Sequence, residues 1–148
     1  MSRTGTALCD AGFFLVFMQS ILIVDGHSAI FATEYLLQLH RDNPGMARTE
    51  LHRELTRFQD TSSYAVVLVF DGKGHDRDQP LRGEEDIMVI YSKTGETADT
   101  VIERLAARFA DKYQLVVASN DRMVLDCVSA FGATPSSIRS MWAMIDHY

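Results

Sequence analysis

The run Ile21-Leu22-Ile23-Val24 is apolar, rich in β-branched side chains, and stops abruptly on Asp25-Gly26. Such a run suits a strand buried on both faces, the kind a parallel sheet contains. Parallel strands need crossover connections, usually helices, and the chain supplies them in alternation. Further strand-like runs occupy residues 65–70, 86–91 and 115–118. Helical spacing follows Ser28 through Ile30, Thr33, Leu36 and Leu37 and halts before Asn43-Pro44-Gly45. A second helix is expected over about residues 46–60, with Leu51, Leu55 and Phe58 inward and Arg48, His52, Arg53, Glu54 and Arg57 on a solvated face. A third starts at Thr97 as N-cap and buries Val101, Ile102, Leu105, Ala106 and Phe109. A fourth carries Val124, Cys127, Val128 and Phe131 and closes at Gly132-Ala133-Thr134-Pro135, with room for a short edge strand. The last covers residues 136–147 with Ile138, Trp142 and Ile145 inward. This order predicts a three-layer α/β/α sandwich with a mainly parallel central sheet, a Rossmann-like architecture.

With 148 residues the chain is long enough for one domain and a substantial core. We expect residues 1–18 to form a tail, consistent with an upstream start and Met18 as the true beginning, and residues 19–148 to form the domain. The apolar stretch after Arg3 has signal-peptide character, but no small-residue cleavage site follows it and it runs on into the strand carrying Asp25. Gln19 and Ser20 interrupt it, so it is too short to span a membrane. The net charge of −6 argues against a broadly basic nucleic-acid-binding face. It leaves room for a nuclease, whose acidic residues would gather around cations. Cys9 and Cys127 stand at no metal-ligand spacing, which fits a reducing, cytoplasmic setting.

Asp25, Asp71 and Asp121 each close a strand, and Asp99 opens the helix after the remaining one. Taken singly, an Asp at a strand end is more often a turn residue or helix cap than a catalytic group. In a parallel sheet, however, all carboxyl ends share one edge, so these residues converge. Gathered carboxylates repel unless a proton or cation intervenes. Oxygen ligands without His or Cys point to Mg²⁺ or Mn²⁺, and such sites serve phosphoryl chemistry. Other signatures fail. Asp71-Gly72-Lys73-Gly74 lacks the spacing of a phosphate-binding loop. Asp25-Gly26-His27 lacks the second aspartate of an aspartyl-phosphate phosphatase, and no Ser-His-Asp or Cys-His set can be argued from spacing.

Four motifs occur in order: Val24-Asp25-Gly26-His27-Ser28, Val69-Phe70-Asp71-Gly72, Thr94-Gly95-Glu96-Thr97-Ala98-Asp99 and Ala118-Ser119-Asn120-Asp121. Together they resemble the NYN domains of the YacP-like branch, relatives of the PIN-domain ribonucleases, from about Ile21 to the C-terminus. His27-Ser28 stands where that family usually has Tyr-Asn, and Ser119-Asn120-Asp121 where it has Thr-Ser-Asp. The resemblance implies a PIN-like fold and a metal-dependent endoribonuclease acting on messenger RNA in association with the ribosome. It implies that Asp25, Asp71, Asp99 and Asp121 hold Mg²⁺ or Mn²⁺ or orient the attacking water, with Glu96 as a fifth member. Ser28 would contact a phosphate or support Asp25. Lys73, His75, Arg77 and Arg82, in a polar loop on the same edge, are candidates for RNA backbone contact, offset by Asp76 and Asp78. The alternative is a non-catalytic RNA- or ribosome-binding module of the same fold.

Overall fold

The β-branched run at residues 21–24 does become a strand enclosed on both sides: Leu22, Ile23 and Val24 are at most 2% exposed. The computed structural model describes residues 18–72 and 86–147. Within them β1 (Ser20–Asp25), β2 (Tyr64–Phe70), β3 (Met88–Tyr91), β4 (Gln114–Ala118) and β5 (Thr134–Ser136) form one sheet. Every pairing is parallel, in the order β3-β2-β1-β4-β5. The sandwich read from the sequence is the architecture observed. The expected tail, apart from Met18, and the loop carrying Lys73, His75, Arg77 and Arg82 lie outside the described residues.

Side-chain alternation along the strands divides the core in two. Leu22, Val24, Val66, Leu68 and Ala118 pack against helices α1 (Gly26–Ala32), α2 (Glu34–Asp42), α3 (Pro44–Thr61) and α6 (Ile138–Asp146). Ile23, Val69, Leu115 and Val117 pack against α4 (Ala98–Phe109) and α5 (Arg122–Ala130). The inward residues of α3 are Ala47, Leu51, Leu55 and Phe58, and those of α4 include Val101, Ile102 and Ala106. On the outer face of α3, Arg53 pairs with Glu50 and Glu54, as a solvated charged face requires.

Three local features depart from the sequence reading. The segment after Ser28 is two helices, broken at Thr33, whose backbone is extended at φ −116° and ψ 114°. There the Thr33 hydroxyl accepts the indole N–H of Trp142 at 2.8 Å, so a distant helix fixes the break. Next, α3 starts at Pro44 rather than near residue 46. Proline suits a first helical position, and the Asn43 side chain accepts from the Gly45 and Met46 amides. Finally, α1 starts at Gly26, two residues before Ser28, with Asp25 as its N-cap.

Gly26 has a packing reason to be glycine. A Cβ there would sit inside the van der Waals radius of the Phe70 ring, which is 7% exposed and stacks on Tyr91 at 5.6 Å. Gly26→Ala should therefore destabilise the fold by about 1–3 kcal/mol, the usual cost of overpacking. Urea denaturation measures it, and an unchanged midpoint would show that Phe70 yields freely.

Candidate active site

The chain leaves β1 for β2 and β3 on one side, then crosses to β4 and β5 on the other. Beyond the carboxyl ends of β1 and β4 lies the crevice where open α/β sheets place their ligands. Register determines what lines it. Val24 pairs with Ala118, so Asp25 stands level with Ser119, and Asp25 pairs with Val69 on the other flank. Alternation continues Ile23, Val69 and Val117 into Asp25, Asp71 and Ser119, on the side of α4 and α5. Asp99 lies in the first turn of α4, and Asp121 is the N-cap of α5.

Asp25 is 4% exposed, and a carboxylate this deep must be satisfied. Its Oδ2 accepts the hydroxyls of Ser28 and Ser119, each at 2.8 Å, and its Oδ1 accepts the Ser28 amide at 3.3 Å. Each hydroxyl spends its one proton on Asp25 and accepts a backbone amide in return: Asn120 N to Ser28 Oγ at 3.1 Å, Asp121 N to Ser119 Oγ at 3.0 Å. Asn120 also accepts the Ile138 amide at 3.0 Å, anchoring the turn to the start of α6. Asp25 is thus a helix cap and a member of the cluster at once. Of the two roles the resemblance implies for Ser28, its hydrogen bonds fit support of Asp25.

The Asp99 carboxyl is pushed up to about 6, first by burial, then by the charges of Asp25 and Asp121 and a hydrogen bond with Asp121, with Glu103 adding a little. Asp121 itself is fixed by the Met123 amide, which donates to its Oδ1 at 2.9 Å. Among the described residues no ion pair joins Lys, Arg or His to Asp25, Asp99 or Asp121. Three carboxylates therefore interact across the crevice, and the proton that Asp99 keeps up to about pH 6 relieves their repulsion.

Asp71 lies on the same sheet edge, half-buried beyond the end of β2, but is not among the charges acting on Asp99. The turn after it is fixed by Ser92, 5% exposed, whose hydroxyl accepts the Gly72 amide at 2.9 Å and whose amide donates to the Phe70 carbonyl at 3.0 Å. Glu96 is engaged elsewhere. Its Oε1 accepts the Lys93 amide and its Oε2 pairs with Arg104, each at 3.0 Å, and these contacts, Lys93 foremost, hold its carboxyl below the usual range. The expectation of a fifth cluster member is corrected: Glu96 clasps the turn before α4.

Among the described residues no three His, Cys, Asp or Glu side chains are drawn into a ready-made metal cage. The donor set still fits a hard divalent cation. It is all oxygen, it comes from three carboxylates without basic partners, and one of them is pushed up to about 6 by burial and then by the charges of the others. Ser119 was not singled out by sequence reasoning. The signal was its position directly after a buried run, in the place on β4 that Asp25 occupies on β1.

Comparison with known proteins adds to this geometry. A sequence model of the YacP-like NYN domain matches residues 22–148. The uncharacterized protein YacP of Bacillus subtilis (strain 168) is 32% identical over 125 residues, spanning 82% of this chain and 72% of the relative. The crystal structure of Rae1 (YacP) from Bacillus subtilis superposes with a TM-score of 0.72 at 30% identity, over 86% of this chain and 74% of that one. A substituted form of the same protein gives a TM-score of 0.71 at 29% identity.

Proposed function

The chain belongs to the YacP-like NYN domain family, a family of nucleases, and from that premise we propose that it is a metal-dependent endoribonuclease hydrolysing RNA phosphodiester bonds. The observation that carries the reading is the meeting of Asp25, Asp99 and Asp121 at the switch point of a parallel sheet, where burial and then the charges of Asp25 and Asp121 raise Asp99 to about 6. Asp25, Asp99 and Asp121 would hold Mg²⁺ or Mn²⁺, with Asp71 at the flank. Such an ion, when bound, supplies charge stabilisation to the phosphate under attack and lowers the pKa of a water. The serine clamp keeps Asp25 in one rotamer and its charge directed at the crevice. Asp99, whose carboxyl is pushed up to about 6 first by burial and then by Asp25 and Asp121, would hold the ion or orient the attacking water. Messenger RNA on the ribosome, in the cytoplasm, is the setting proposed. Among the described residues no helix is long and apolar enough to cross a membrane.

The test is incubation of the full chain with end-labelled single-stranded RNA in Mg²⁺, in Mn²⁺ and in EDTA. Internal cuts are expected with either metal and none with EDTA. RNA retained without product at every Mg²⁺ and Mn²⁺ concentration would instead favour the binding-module reading.

A further inference from the structure

We propose that the stacked rings of His27 and Phe31 form a base-stacking subsite for an unpaired base of single-stranded RNA, beside the phosphate that the carboxylates address. His27 sits between Asp25 and Ser28 in the first turn of α1. Two peptide steps limit its Cα to about 7.6 Å from that of Asp25. Its ring lies on Phe31 with centroids 4.3 Å apart and planes 26° apart, yet His27 is exposed and Phe31 is 44% exposed. A ring covered on one face and still exposed presents its other face to solvent. Neither residue packs in either half of the core, so the fold does not account for them. Phe31 in turn meets the edge of His40 on α2, at 4.8 Å and 61°. The pair is therefore braced from behind, and a base added to it would find the platform already ordered.

The chemistry suits single strands. Base-on-aromatic stacking needs an unpaired base and tolerates any sequence. It also supplies affinity without positive charge, which matters in a chain of net charge −6 whose crevice is lined by carboxylates. The inference rests on the nuclease reading for which phosphate lies beside the base; stacking itself can be read without cleavage.

The experiment uses a short single-stranded oligoadenylate carrying one 2-aminopurine, bound to the Asp99→Asn protein so that the RNA stays intact. Binding is expected to quench the fluorophore. Adding His27→Ala should remove the quench and weaken Kd about tenfold, or about 1.4 kcal/mol, and Phe31→Ala should do the same. His27→Tyr should restore both. An abasic nucleotide at the probe position should abolish the difference in Kd between proteins with and without the His27 ring. Unchanged Kd and quench in both alanine variants would overturn the proposal, as would an equal loss on abasic RNA. Cleavage by the otherwise wild-type chain is scored separately. If it cuts RNA in Mg²⁺ and His27→Ala leaves KM unchanged, the stacking subsite falls and the nuclease stands. If it does not cut but binding depends on His27, the nuclease falls and the subsite stands; if it neither cuts nor binds, both fall.

Discussion

Asp99→Asn is expected to lower metal-dependent RNA cleavage by on the order of 10³-fold while making the metal-free protein more stable at neutral pH. The two effects share one cause. Burial and the neighbouring charges of Asp25 and Asp121 raise the Asp99 carboxyl from 3.8 to about 6. Between those values the folded protein keeps a proton that the unfolded chain has released. The contribution of this group to stability is therefore fully present below about pH 4 and is lost as pH rises through 6. Asparagine carries no charge to repel. The variant should match the wild type near pH 4 and exceed it above pH 6, by about 1 kcal/mol once solvent screening is allowed for. Thermal melts in EDTA at both pH values measure this. Mg²⁺ or Mn²⁺ relieves the same repulsion in another way, in competition with the proton. Either ion should stabilise the wild type more at pH 7.5 than at pH 5, and the variant little at either. A variant that cleaves normally, or that melts like the wild type across this range, would remove Asp99 from the cluster.

That cluster was largely legible in the sequence, because a parallel sheet converts a list of strand ends into a spatial edge. Asp25, Asp71, Asp99 and Asp121 could be placed there from β-branched runs and one N-cap alone. What could not be read was set by partners far along the chain. The Ser119 hydroxyl reaches Asp25 across 94 residues, and only the register of β1 against β4 makes them neighbours. Trp142 ends α1 at Thr33 from 109 residues away, where local spacing suggests an unbroken helix. Glu96 looked available because its motif places it near Asp99, but Arg104, one face of a helix further on, takes its charge. Asp25 is instructive in the opposite sense. Cap and cluster member looked like competing roles, yet one carboxylate serves both, since Oδ1 faces the Ser28 amide while Oδ2 collects two hydroxyls.

Those two hydroxyls should not be equivalent. Ser119→Ala removes a donor from a carboxylate that is 4% exposed and leaves the Asp121 amide without its acceptor. Ser119 is itself fully buried, so water cannot replace it. A loss of about 1–3 kcal/mol is expected from urea denaturation at neutral pH in EDTA, the cost of an unsatisfied buried polar group. Because Asp25 is then held by Ser28 alone, Mn²⁺ affinity and cleavage should fall about 10–100-fold, as when a ligand loses part of its supporting contact. Ser28 is half-buried, and water can reach the place its hydroxyl vacates. Ser28→Ala should therefore cost less in both measurements. The double variant should cost more than the sum, since either hydroxyl alone can hold Oδ2 but neither remains. Additive losses would mean that the serines act separately. Equal stability and Mn²⁺ affinity in Ser119→Ala would mean that Asp25 is positioned by the strand alone, and the clamp would lose its role.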